Sequence, residues 1–395
     1  MDGTPQTPDE TDWRAVFAGL AGGIASALQI GKVSGALPLL RTDFATGVQT
    51  MSLYVALISF VAAAIGFWFG TLTRRFDPRR VSQTGLAITA VGALASVVAP
   101  SAGVLLASRA IEAVGFSMTA TSLPLIIQAA AARRHKALAL GIWSAWMPTG
   151  IGCALALSWL LIEGAGWRAV YAVAAVALLL AAVGLQVFVP GRRHATVDRA
   201  DVAAPTAILR PEPLKVTLVF FSFSACSLIM LGFLPTILVD DLGMGEGTAA
   251  AITMLAALGM VPTNVLSGWL LDRGAKARTL FLLSLAGIAI SALLVTSSAV
   301  PPAFRLAAIL MFSITTGVTP GVVWASITPL ARRPGEAPLL SGLFYQGAGL
   351  GQVAGPIAAG WAFVLVAGWH GAGWTVAGFV AVALAAAVAM RPTGE

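Results

Sequence analysis

Residues 70–80 read Gly70-Thr-Leu-Thr-Arg-Arg-Phe-Asp-Pro-Arg-Arg80, and residues 268–278 read Gly268-Trp-Leu-Leu-Asp-Arg-Gly-Ala-Lys-Ala-Arg278. Each closes an apolar stretch of helix length and opens another through a short basic loop. Two more landmarks recur in the same order. Gly166-Trp-Arg168 is echoed by Gly368-Trp-His370, and Met147-Pro-Thr-Gly-Ile-Gly152 by Gly355-Pro-Ile-Ala-Ala-Gly360. The separations, taken from Gly70 to Gly268, Gly166 to Gly368 and Pro148 to Pro356, are 198, 202 and 208 residues. Three matches in order mark an internal duplication, which in an apolar chain points to a transporter built from two similar halves.

Composition supports a membrane setting. The chain is 58% hydrophobic and 10% charged, with a mean hydropathy of +0.87, whereas soluble domains carry about 25% charged residues. Apolar runs predict about twelve transmembrane helices, at 14–38, 49–71, 82–99, 103–130, 137–161, 168–189, 214–238, 247–271, 278–299, 303–330, 338–366 and 370–390. The fold class is thus an all-α membrane protein in two six-helix, pseudo-symmetric halves, 14–189 and 214–390. The segment 190–213 holds Pro190, Pro205, Pro211 and Pro213 with mixed charge and reads as a cytoplasmic linker. Residues 1–13 and 391–395 read as cytoplasmic tails.

The sequence pI of 10.1 does not call for nucleic acid, because the basic residues alternate between loops. Arg74, Arg75, Arg79 and Arg80, then Arg133, Arg134 and Lys136, then Arg192, Arg193, Arg199, Arg210 and Lys215 lie in every second loop, followed by Arg273, Lys276 and Arg278 and by Arg332 and Arg333. The intervening loops hold little beyond Arg41, Arg168 and Arg305. This asymmetry places both termini in the cytoplasm of a cell with the bundle in its inner membrane. No removable leader is expected, since no basic segment precedes the first apolar run. Cys153 and Cys226 both fall inside apolar segments and read as packing residues.

These features resemble the major facilitator superfamily across nearly the whole chain. That family carries Gly-x-x-x-Asp-Arg/Lys-x-Gly-x-Arg/Lys in its second-to-third-span loop. Here the second copy keeps it, in Gly268, Asp272 and Arg273; in the first, Gly70 is kept, Arg74 stands in the Asp position and Asp77 in that of the second Gly. The resemblance implies a conformational lock at these six residues that holds the cytoplasmic side closed. Arg109-Ala-Ile-Glu-Ala-Val-Gly115 is similar to the family's Arg-containing motif in span four. The Gly-x-x-x-Gly-Pro-x-x-x-Gly pattern of drug/proton antiporters appears in span eleven through Gly351, Gly355, Pro356 and Gly360, while in span five Met147 replaces the Gly before Pro148. Phe233–Asp240 and Leu37–Arg41 bear a fainter resemblance to the cyanate/nitroimidazole branch.

Ionisable residues inside spans are costly, about 2.5–3.5 kcal/mol for a mid-membrane Lys or Arg, so they indicate where chemistry resides. Lys32 in span one follows Ser26 and Gln29 at three-residue spacing; Arg109, Glu112, Phe116 and Thr119 form a comparable stripe on span four. At the matching depth the second half has Met311 and Ile314. Two readings are open. Lys32 snorkels to the outer headgroups and Arg109 pairs with Glu112 as a structural i,i+3 pair, or the stripes supply a net positive site for an anion. In the resemblance, spans one, four, seven and ten line a central cavity. Lys32, Gln29, Arg109 and Phe116 are then expected to bind substrate, with Thr316, Thr319, Tyr345 and Gln346 as an uncharged wall and Glu112 as the proton-coupling carboxylate. Pro148, Pro320, Gly355 and Pro356 are expected to let their helices flex. Trp143 and Trp146 form an aromatic patch or face lipid. Asp272 ends its helix, where the macrodipole disfavours an anion, so either Arg273 or the N-terminal end of another helix must compensate it.

The leading expectation is a secondary transporter moving a small anionic solute by alternating access, with protons as a coupling partner. Proton-driven efflux of hydrophobic or drug-like compounds is the alternative, and a non-transporting membrane sensor the third. No nucleotide-binding loop, metal cluster or catalytic triad is legible, so neither enzymatic activity, cofactor nor metal is expected. The expected partners are the solute, protons and the lipid bilayer, with the protein a monomer and nucleic acid excluded.

Overall fold

The computed structural model describes residues 8–191, 204–333, 335–366 and 368–390. Half of the expected linker, residues 192–203 with Arg192, Arg193, His194 and Arg199, lies outside the described residues, as do residues 1–7 and 391–395 of the tails. Among the described residues the regular structure is helical: α1 Trp13–Asp43, α2 Val48–Thr73, α3 Pro78–Val97, α4 Ala102–Ala130, α5 Lys136–Ser144, α6 Trp146–Phe188, α7 Pro211–Asp240, α8 Glu246–Leu258, α9 Met260–Asp272, α10 Ala277–Thr296, α11 Pro302–Thr316, α12 Val318–Ala325, α13 Ile327–Leu330, α14 Glu336–Val366 and α15 His370–Val388.

Ten stretches are long and apolar enough to cross a membrane. One of them, Arg133–Phe188, is two spans: at Gly166 the backbone turns to φ 74°, ψ 174° inside α6. The contacts confirm a reversal there. Ala27 and Gly31 of α1 meet Gly150 and Ala154 in rising order, and Gly35 meets Ser158. Beyond Gly166 the order inverts, with Asp43 against Trp167 and Gln29 against Ala174. With α3 packed along α4 and α6, the count reaches the twelve spans expected.

Four breaks within spans share one cause. The helix tightens at Ala145, Gly259, Gly317 and Ser326, where ψ lies between −8° and −22°. Each stands three residues before a proline: Pro148, Pro262, Pro320 and Pro329. Proline lacks the N–H that would bond the carbonyl four residues back, and its ring crowds that carbonyl, so the preceding turn re-registers. Pro148 and Pro320, where flexing is expected, each follow such a break. At Pro356 the structure differs, because α14 runs through it unbroken. Gly355 instead permits close approach: a Cβ there would lie 2.7 Å from Ala225 O of α7, and one on Gly351 2.0 Å from Phe221 O.

Two glycine crossings join the first six spans to the last six at the basic-loop end. A Cβ on Gly70 of α2 would meet Pro338 O of α14 at 2.4 Å, and one on Gly268 of α9 would meet Ala137 O of α5 at 2.2 Å. Nearby bonds also cross, from Gln128 Nε2 to Thr328 Oγ1 at 2.8 Å and from Ser341 Oγ to Thr121 O at 2.8 Å. At the opposite end the ion pairs Arg168–Asp43 and Arg305–Asp241 each stay within one group of six spans. The bundle is closed at its basic-loop end.

A buried charge cluster and an aromatic interface as the candidate functional site

The two polar stripes do meet, and they meet through charge. Glu112 Oε1 lies 2.7 Å from Lys32 Nζ, and its Oε2 lies 2.7 Å from Arg109 Nη1. Lys32 also donates to Gln29 Oε1, while Arg109 donates to Gln29 O at 2.7 Å and to Tyr54 O at 3.2 Å. Lys32 and Glu112 are 0% exposed and Arg109 1%, so Lys32 is sequestered and does not snorkel. Two phenols close the cluster. Lys32 Nζ stands 4.1 Å from the Tyr171 ring centroid and the Arg109 guanidinium 5.1 Å from that of Tyr54, favourable cation–π positions. The two tyrosine hydroxyls bond each other at 3.1 Å.

Two cations and one carboxylate leave the cluster with an excess positive charge. Burying an ion is costly unless it is paired and hydrogen-bonded. Here Glu112 is fully engaged, whereas one cation's worth of charge is met only by carbonyl, amide and ring dipoles. Every wall belongs to the first six spans: α1, α2, α4, α6 and Ser96 of α3. The second-half wall expected around Lys32 and Arg109 is therefore elsewhere in this closed state.

A separate aromatic layer lies between the halves. Phe116, one turn beyond Glu112, lies 5.5 Å from Trp146 and 6.5 Å from Tyr345 between ring centroids. Trp143 stacks on Trp146 at 4.9 Å and meets Trp324 edge-on at 6.1 Å, and Trp324 meets Phe220 at 6.0 Å. The patch at Trp143 and Trp146 thus faces protein rather than lipid. Tyr345 shares a hydrogen bond with Ser117 at 3.2 Å, and Gln346 donates to Ala63 O of α2 at 2.8 Å. Thr319 bonds Ser284 at 2.7 Å, inside the second half. The Thr316 hydroxyl and the Trp143 indole N–H are buried without a partner. The expected substrate residues accordingly fall into a charged cluster (Lys32, Gln29 and Arg109, with the expected proton-coupling Glu112), an interface layer (Phe116, Tyr345, Gln346) and a second-half pair (Thr316, Thr319).

The expected lock residues also divide. The Asp272 carboxylate accepts from Ala137 N at 3.1 Å and Leu138 N at 2.8 Å. These are first-turn amides of α5, whose own N-cap, His135, gives no side-chain cap. An acid on α9 thus caps α5 across the interface, where free N–H groups and the helix dipole favour an anion. Arg273 stacks on Trp269 of its own helix at 3.8 Å. In the first copy Asp77 caps α3, accepting from Arg79 N at 3.1 Å ahead of Pro78. Arg74 is the residue that ends α2.

Sequence reading missed Tyr54, Tyr171, Ser96 and Ser108. A signal was available for the phenols: the chain has three tyrosines, all placed in apolar spans, and two of them bound the charge cluster while Tyr345 lies at the interface. The serines carried no such signal, since a hydroxyl in a membrane helix usually satisfies itself on its own backbone. Among the described residues no group of three His, Cys, Asp or Glu stands ready for a metal.

A twelve-span helical bundle, closed at one end around broken helices and holding a buried charge cluster, has the architecture of a membrane transporter. The chain belongs to the Major Facilitator Superfamily, whose profile matches residues 19–337. It is 31% identical over 140 residues to the multidrug resistance protein Stp of Mycobacterium tuberculosis (strain CDC 1551 / Oshkosh), covering 35% of this chain and 26% of that protein. Among solved structures it is similar to the proton:xylose symporter XylE bound to 6-bromo-6-deoxy-D-glucose, with a TM-score of 0.80 at 13% identity over 96% of this chain and 94% of that one. It is likewise similar to the transporter FucP in the outward conformation, with a TM-score of 0.77 at 15% identity over 95% and 97% of the two chains. The matched stretch spans about a quarter of Stp's own length, 26%. Its apolar helices and its family mark an integral membrane protein, and that family and fold are those of transporters rather than enzymes.

Proposed function

We propose that this protein moves a small anionic solute across the cell (inner) membrane by alternating access, coupled to a proton on Glu112. The halves would be 14–189 and 214–390, working as a monomer, with the basic loops, the termini and the linker 190–213 on the cytoplasmic side. One observation carries the reading: the Glu112 carboxylate sits between Lys32 and Arg109, 2.7 Å from each, and the enclosed cluster still holds excess positive charge. A carboxylate so placed acts as a tethered stand-in for the anionic group of a substrate. Protonating Glu112 would release both cations to a solute anion, so proton and anion would bind together. Parting the halves at the aromatic layer would bring the cluster, one turn behind Phe116, within reach of the central passage.

The test is a thermal-shift panel on the purified protein, comparing sodium salts of small carboxylates and inorganic anions with lipophilic cations such as tetraphenylphosphonium. A ligand bound at 100 times its Kd raises stability by about 2.7 kcal/mol. Stabilisation by an anion that vanishes in Lys32→Ala is the expected result; stabilisation confined to lipophilic cations would refute it. That second outcome corresponds to efflux of hydrophobic or drug-like compounds. It is favoured by the aromatic layer, by the unpartnered Trp143 N–H suited to a ring-bearing ligand with an acceptor, and by the similarity to a multidrug resistance protein.

A further inference from the structure

We infer that Ser108 and Ser96 form a hydroxyl relay that delivers the proton to Glu112 from the end of the bundle opposite the basic loops. The inference rests on the proposal that Glu112 is the proton acceptor. Ser96 of α3 and Ser108 of α4 share a 2.7 Å hydrogen bond across the helix pair, and Ser96 Oγ stands 3.4 Å from Glu112 Oε1 as a second donor behind Lys32. Both serines are buried, at 0% and 2% exposure. Serines that served only to satisfy their own helices would not need to meet. These two have backbone acceptors as well, Gly92 O at 3.1 Å and Leu105 O at 2.8 Å. Each hydroxyl has one proton to donate and two lone pairs to accept with. It can therefore swing from its carbonyl to the next oxygen, giving up one proton while receiving another.

The chain of oxygens has a direction. Ser96 is next to the last residue of α3 and Ser108 lies one turn before Glu112, about 6 Å nearer the α3–α4 turn. From the other side, the approach to Glu112 is covered by Phe116 packed on Trp146 and Tyr345. The titratable groups facing Glu112 are Lys32 from α1, Arg109 from α4 itself, and the phenols Tyr54 from α2 and Tyr171 from α6; α3 presents Ser96. The two cations hold no acceptor for an incoming proton and the two phenols bond each other, whereas Ser96 reaches the Glu112 carboxylate and Ser108 reaches Ser96, which makes the serine pair the route. The step is balanced: one proton enters at Ser108, one passes from Ser96 to Glu112, and both serines end neutral. With the basic loops on the cytoplasmic side, Ser108 is the outer end of the relay, an order that suits inward-directed symport.

The test needs no solute. The full chain in nanodiscs is subjected to a rapid acid jump, and the infrared band of a protonated carboxyl is followed, with Glu112→Gln assigning the band. Ser96→Ala and Ser108→Ala are expected to slow its appearance by about tenfold or more without removing it, and Ser96→Thr, which keeps the hydroxyl, to restore the rate. Serine variants as fast as the parent, or a Thr variant as slow as the Ala variant, overturn the relay while leaving Glu112 in place. A band that persists unchanged in Glu112→Gln overturns the proton-acceptor reading instead.

Discussion

Glu112→Gln isolates the electrostatics of the buried cluster. The change keeps the side chain's size but leaves Lys32 and Arg109, each formerly 2.7 Å from a carboxylate oxygen, as two buried cations at one site. Removing one partner from a buried ion pair costs about 3–5 kcal/mol. The purified variant should therefore melt well below the parent in a buffer poor in small anions. An anion that seats between the two cations should return about 2.7 kcal/mol at 100 times its Kd, recovering over half of the loss. The parent, whose own carboxylate occupies that seat, should respond less. A Gln variant that melts with the parent, or an identical anion response in both, would refute the reasoning.

Other consequences concern packing and the closed end. A Cβ on Gly115 would lie 2.4 Å from Gly85 O and 2.6 Å from Thr89 N, so Gly115→Ala should cost about 1–3 kcal/mol, read as a lowered melting temperature. Gly184, with nothing within 4 Å of its added Cβ, should accept Ala without loss. Gly268→Ala should force α9 from α5 and weaken the Asp272 cap, raising the maleimide labelling of a cysteine placed at Gln128, which bonds Thr328 at the closed end. Unchanged labelling would count against that end being held by this crossing. Of the native cysteines, exposed Cys153 should react with a lipid-soluble maleimide and buried Cys226 should not, as mass spectrometry of the peptides will report.

What the sequence made legible follows from the cost of each feature. Lys32, Arg109 and Glu112 stood out because an ion in an apolar span must have a reason to be there, and helical spacing placed them on two stripes. Asp272 was legible for the same reason: an anion at a helix C-terminus needs a compensating dipole, and the α5 N-terminus supplies it. The partners were not legible, because contact between Ser96 and Ser108, or between Tyr54 and Tyr171, depends on how α2, α3, α4 and α6 cross. The cap that Asp77 gives α3 was legible in principle, since an Asp before Pro78 is a common helix start. Pro148 and Pro320 do break their helices, but Pro356 does not, and nothing in its local sequence marks that difference.

The most direct measurement is initial uptake of radiolabelled small carboxylates and inorganic anions into proteoliposomes, alkaline inside, by the parent and by Lys32→Ala, Arg109→Ala and Glu112→Gln, each checked for folding. The proposed mechanism predicts uptake of at least one anion that rises with the pH gradient, is lost in both cation variants, and no longer responds to the gradient in Glu112→Gln. Undiminished gradient-driven uptake in all three variants would contradict it.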